Sequence, residues 1–222
     1  MHRRRRTALA VSVALLGAGP LLTACGSEAH PGAAAVVGGD RIAVSALQSQ
    51  VKDVRTAQQA SPQAAQLIKN TGQLSRAKLH GLIFDKVLDR AAADAGVTVS
   101  RKELQEARAA MAQQAGGAKA FADMLLQQRG LAPDQIDDAV REQVQLTKLA
   151  AATGADLGTP QGQAAVTKTL AAASKALKID VNPRYGTWDD KAIQLTDYQA
   201  PWLSQVTKTK PDQPEQDAAV TG

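Results

Sequence analysis

Apolar positions recur along most of this chain at intervals of three and four residues, the spacing of helices that bury one stripe. Leu47, Val51 and Val54 set the first stripe, and Ser45 stands where an N-cap would open it. Ser61-Pro62 reads as a second helix start, followed by Leu67 and Ile68 and stopped by Asn70-Thr71-Gly72. Residues 74–95 are the most apolar stretch, with Leu79, Leu82, Ile83 and Val87 on one face, widened by Phe84, Leu88 and Ala91. This helix is expected at the centre of the fold, with Gly96 as its stop. Ser100 and Glu103 spell a capping box, and Leu104, Ala107 and Met111 carry the next helix to Gly116-Gly117. Phe121, Met124 and Leu125 give a short helix ending at Gly130. Pro133 starts a longer one, with Ile136, Val140, Val144 and Thr147 on one side. Thr159-Pro160 restarts, and Val166, Leu170, Ala173 and Leu177 repeat at helical spacing.

Two stretches break this period. Residues 33–42 (AAAVVGGDRI) read as a short strand or half-hairpin turning on Gly38-Gly39-Asp40. Residues 179–188 (IDVNPRYGTW) read as extended, with Pro183 barring a central strand position, and residues 190–198 as a last helical turn. The expected class is mainly α, with a small two-stranded β element joining the N- and C-terminal segments. Alternating βαβ units and a glycine-rich phosphate loop do not occur in the pattern.

Composition changes this picture mainly at the ends. Ala supplies 44 of the 222 residues, so much of the 44% hydrophobic fraction is single methyl groups. Arg3, Arg4, Arg5 and Arg6 precede an apolar run over residues 8–22, interrupted by Gly17, Gly19 and Pro20. A basic start, a short apolar run and small residues after it describe an export signal over residues 1–24. The run is shorter than the ~20 residues a spanning helix needs. The formal net charge of +5 then shrinks: residues 1–24 hold four Arg and no acid, leaving 22 cations against 21 acids. The remaining +1, with no basic stripe and interleaved aromatics, argues against a nucleic-acid partner.

The run ends Leu22-Thr23-Ala24-Cys25, and Cys25 is the chain's one cysteine. This ending resembles the lipobox of bacterial lipoproteins. The resemblance implies acylation of the Cys25 thiol, cleavage before it, and a membrane anchor on the extracytoplasmic face. Two or three acyl chains anchor stably where one does so only marginally. The four Arg leave the general and twin-arginine export routes both open. Residues 25–32 read as a lipidated tether, residues 33–206 as the domain, and residues 207–222, rich in Lys, Pro, Asp and Gln, as a disordered tail.

Four stretches in order are similar to the N-terminal chaperone domain of SurA- and PrsA-type extracytoplasmic foldases. Residues 34–51 (AAVVGGDRIAVSALQSQV) resemble that family's strand-turn-strand and first helix. Residues 82–104 (LIFDKVLDRAAADAGVTVSRKEL) resemble its apolar helix, Ala-Gly-Val stop and next capped helix. Residues 130–149 (GLAPDQIDDAVREQVQLTKL) are similar to its Gly-Leu-x-Pro entry into a charged amphipathic helix. Residues 179–189 (IDVNPRYGTWD) resemble the segment that returns to pair with the opening strand. The full foldases carry a parvulin prolyl-isomerase domain before that returning segment, whereas only 29 residues separate Leu149 from Ile179 here. Isomerase activity is therefore not carried over. The resemblance implies a non-catalytic domain that binds unfolded or extended segments of exported proteins and needs no cofactor. The alternative is a structural or adaptor envelope lipoprotein with one defined protein partner.

Candidate side chains are few. Met111, Phe121, Met124 and Leu125 are the candidate client-binding residues, since Met and Phe adapt to varied partners; their helical spacing equally suits core packing. Tyr185 and Trp188 are read as a clasp fixing the returning segment to the helices, and Trp202 is left open between clasp and partner patch. His80 has no partner at ligand spacing and His30 lies in the tether, so no metal site is expected. The acidic pairs Asp137-Asp138, Asp189-Asp190 and Glu103/Glu106 read as solvated faces, and no Gly-x-Ser-x-Gly elbow occurs.

Overall fold

The computed structural model of the chain describes residues 31–198. The export segment, Leu22, Thr23, Ala24, Cys25, His30, Trp202 and residues 207–222 lie outside the described residues.

The body opens with β1 (Ala33–Val37) and β2 (Asp40–Ala43), an antiparallel hairpin with Val37 opposite Asp40. Gly38 and Gly39 turn it at φ 61° and 87°, conformations that an L side chain adopts only with strain. Helix α1 (Val44–Gln59) follows without a side-chain cap: its N-cap is Ala43, so Ser45 is inside the first turn rather than ahead of it. The strand runs directly into the helix, and the Gly32 carbonyl accepts the N–H of Val44, the first helical residue, at 2.9 Å. Helix α2 (Ala64–Asn70) starts two residues beyond Pro62, and Ser61 Oγ accepts from the Gln63 N–H at 3.2 Å in the turn before it.

Helix α3 (Leu74–Asp94) is the axis of the fold, packed by α1, by α6 (Ile136–Ala152) and by α7 (Pro160–Leu177). Its Leu79, Ile83, Val87, Leu88 and Ala91 are buried in one cluster with Leu47, Leu149, Val166 and Leu170. Each such Leu or Ile contributes roughly 1.5–3 kcal/mol by leaving water. On α6, Leu149 faces this interior and Val140 packs towards α5, whereas Thr147 is exposed and its Oγ1 bonds the Gln143 carbonyl at 2.9 Å. The inward stripe therefore runs through Gln145 and Leu149.

Helices α4 (Arg101–Gln114) and α5 (Ala118–Arg129) form a hairpin beside α6. Ser100 and Glu103 form the reciprocal capping box that opens α4. The Gly116-Gly117 turn reverses the chain at φ 89° and 115°, and Gly130 closes α5 at φ 58°. A short 3-10 turn, Pro133–Gln135, leads into α6.

The C-terminal part closes the body. Strand β3 (Asp180–Val181) pairs antiparallel with β1, giving the order β2-β1-β3, so the joining sheet has three strands rather than two. Asn182 holds the register, its N–H on the Ala34 carbonyl at 3.0 Å and its Nδ2 on the Ala33 carbonyl at 3.2 Å. Pro183 falls in the turn that follows, outside the ladder. The expected helical turn over residues 190–198 is instead a second hairpin, β4 (Thr187–Asp189) and β5 (Gln194–Thr196). The Asp189 carboxylate accepts the N–H groups of Ala192 at 3.1 Å and Lys191 at 2.8 Å. Those bonds hold its pKa below the ordinary carboxylate range and close a turn where helix would have begun.

Candidate functional site

The α4–α5–α6 unit holds an apolar crevice. Phe121 and Leu125 project from one face of α5 onto Ile136 and Val140 of α6, and all four are buried. Met111 of α4 and Met124 of α5 stand at the lip, half-buried. The space they enclose is about 430 Å³, rimmed by Gln114, Gln143 and Arg129. All four candidate client-binding residues thus meet at one place, two as floor and two as accessible lip. Ion pairs fix its walls: Arg108 to Asp137 at 2.6 Å and Lys148 to Glu103 at 2.6 Å between α4 and α6, and Arg129 to Glu142 at 3.4 Å between α5 and α6. The Lys148 ammonium, with the Ser100 N–H and hydroxyl, holds the Glu103 carboxyl down to about 2. No residue of α4 is fully buried, so this helix depends on its cap and on these pairs.

On the other side of Arg129 and Ala139, which border both spaces, a second cavity of about 320 Å³ lies between α1, α3 and α6. Leu74, Leu82, Phe84 and Leu131 supply its apolar walls. Lys78 is 8% exposed and donates from Nζ to Gln135 Oε1 at 2.6 Å; Gln135 Nε2 in turn donates to the Gln50 carbonyl at 3.2 Å. Burial, and secondarily Arg129, lower the Lys78 pKa to about 8. At the opposite end Asp85 faces Asp138 and Glu142 of α6, with Asp89 one turn further along α3. Burial, reinforced by Glu142, Asp138 and Asp89, pushes the Asp85 carboxyl up to about 7. The sequence reading missed Lys78 and Asp85. Their signal was present, since two charged residues seven apart on the most apolar helix occupy one face.

The returning segment is anchored on α3 and α7. Trp188 is buried, and its Nε1 donates to Ser174 Oγ at 2.8 Å, which donates to Asp190 Oδ1 at 2.5 Å. Tyr185 is half-buried against the same cluster, with the Arg184 guanidinium 5.3 Å from its ring centroid. His80 lies against this hairpin: its Nε2 is 3.1 Å from the Ile193 carbonyl and its ring centroid 5.6 Å from that of Trp188. The two acidic groups of α4 and the Asp137 carboxylate are occupied by cations: Glu103 by Lys148, Glu106 by Lys102 at 3.8 Å, and Asp137 by Arg108. Among the described residues no group of three or more His, Cys, Asp or Glu is placed to hold a metal ion, and no described helix is long and apolar enough to cross a membrane.

The body is mainly helical, closed by a small sheet and opened by an apolar crevice. Residues 7–150, more than half of the 222, match the family described as the SurA-like N-terminal domain, and the chain belongs to that family. No curated protein and no solved structure matches it. Helix α7 and strands β3, β4 and β5 follow the matched stretch, yet β3 completes the sheet begun by β1.

Proposed function

We propose that this protein is a holding chaperone of the cell envelope, binding unfolded or extended segments of exported polypeptides without catalysis. The observation that carries the reading is the open crevice of about 430 Å³ with Met111 and Met124 at its lip, in a chain of the SurA-like N-terminal domain family. Binding draws on burial of apolar side chains and needs no cofactor. Met at the lip suits varied clients because its unbranched side chain repacks at little cost. An open crevice favours many clients over the single partner of an adaptor, for which a sealed core would suffice. The experiment is suppression of aggregation, followed by light scattering, for several chemically unrelated unfolded proteins. Suppression of all of them is expected; capture of one folded partner with no effect on the others would sink the reading.

The anchor belongs to the same proposal. The Arg3–Arg6 run, the apolar residues 8–22 and the Leu22-Thr23-Ala24-Cys25 ending support processing as a lipoprotein, placing the domain on the extracytoplasmic face of the cell membrane. Radiolabelled palmitate should enter the wild-type chain and not the Cys25→Ser variant; equal labelling of both would remove the anchor from the account.

A further inference from the structure

The geometry points to a preference within that client class: the cavity between α1, α3 and α6 takes a cationic side chain, Arg or Lys, from a segment whose apolar residues occupy the adjoining α4–α5–α6 crevice. The inference rests on the chaperone reading and narrows its substrate class to apolar segments flanked by basic residues.

Three observations carry it. The two spaces are neighbours that share Arg129 and Ala139 as border, so one extended segment can cross from one to the other. The second cavity has the shape a long cation needs. Its walls, Leu82, Phe84 and Leu131 among them, suit the aliphatic stem, and its acidic end suits the head. That end is only partly neutralised from within, since Arg129 and Arg141 stand against four carboxylates. Among the described residues Asp85 makes no hydrogen bond or ion pair, and of the charges acting on its carboxyl only Arg129 favours the ionised form. Glu142 is shared with Arg129, and Asp89 accepts only the neutral Gln145 amide at 3.0 Å. The charged and titratable groups that line these spaces with Asp85 are Lys78, His80 and Asp89 from its own helix, Asp138, Arg141 and Glu142 from α6, and Arg129 from α5. Lys78 is turned to Gln135 at the far end of the cavity. The mouth therefore carries a surplus of carboxylates, which an entering cation relieves and an entering anion or apolar group does not.

Proton linkage gives the inference a signature. A carboxyl held up to about 7 is largely protonated below that pH, and a cation beside it favours the ionised form. Binding of a basic segment then releases a proton and tightens as pH rises from 6 to 8, while binding of a neutral segment does not.

The test uses the full chain and two fluorescent peptides of identical apolar sequence, one carrying two Arg and its twin two citrullines, which keep the shape and lose the charge. Titrated by anisotropy at pH 8, the Arg peptide should bind about tenfold more tightly, the gain of one well-placed ion pair. The ratio should shrink at pH 6. In the Asp85→Asn variant the Arg peptide should fall towards its twin at both pH values; Asp138→Asn should reduce the ratio to a smaller extent. Melting curves establish that both variants are folded. Equal affinity for the two peptides at pH 8 would overturn the preference while leaving the chaperone reading standing. Failure of both peptides to bind, together with no suppression of aggregation, would overturn both. A dimer in solution that Asp85→Asn dissociates would place a second copy of the chain at the cavity and overturn the proposal.

Discussion

Asp85 shows how one position can oppose the fold that holds it. Its carboxyl titrates near 7 rather than 3.8 because burial and the carboxylates of Glu142, Asp138 and Asp89 disfavour its charge. The folded state therefore keeps a proton that the unfolded chain has already released between those two values. Asp85's contribution to stability is full below about pH 4 and is lost as pH rises through 7. The Asp85→Asn variant should melt higher than wild type at pH 8 and close to it at pH 4, as read by thermal circular dichroism. A variant less stable at pH 8 would mean that the carboxylate is an unrecognised structural ligand. Gly162 makes a different residue-scale point. It occupies the first turn of α7, where an added Cβ would run into the backbone carbonyl of Asp156. The Gly162→Ala change should cost on the order of 1–3 kcal/mol in denaturant unfolding although Ala favours helix, because backbone cannot give way as a side-chain end can.

Among the elements, those with a strong local code were legible in the sequence. The Ser100/Glu103 box, the Thr159-Pro160 start, and Gly96 and Gly130 as helix stops each stand where their chemistry placed them. Periodicity alone located α3 as the central helix. What escaped depended on contacts distant in sequence. Strand β3 is two residues long and exists only because β1 lies beside it. The β4–β5 hairpin looked helical over residues 190–198; the Asp189 turn and the burial of Trp188 against α7 overrode that local preference. Lys78 and Asp85 are polar residues on an apolar helix, and only the packing of α6 and of the Pro133–Gln135 turn against it shows what they face. At this scale α4 is the vulnerable element, since it buries no residue completely. Ser100→Ala should cost about 1 kcal/mol of stability. Amide hydrogen exchange should rise in α4 well before α3; uniform protection of the two would refute the dependence of α4 on its cap.

For the whole molecule, β1 and β3 meet in one sheet, and the helices between them are arranged around α3 with the α4–α5 hairpin set against α6 on one side. This separates the stable core from the surface proposed to receive clients. Met111 and Met124 belong to a cluster of their own with Phe121, Leu125, Ile136 and Val140, apart from the cluster that holds the sheet, α3 and α7. Charges placed at the lip should therefore weaken holding without unfolding the body. The Met111→Glu/Met124→Glu double variant should lose most of its suppression of client aggregation with little change in melting temperature. Equal suppression by the variant would move the binding surface elsewhere. The central claim, that unfolded polypeptide enters the α4–α5–α6 crevice, is tested most directly by site-specific photo-crosslinking. A photoreactive side chain at position 124 should capture an unfolded client in high yield, and one at the exposed Lys168 of α7 should not. Equal capture at both positions, or capture only at 168, would contradict the account.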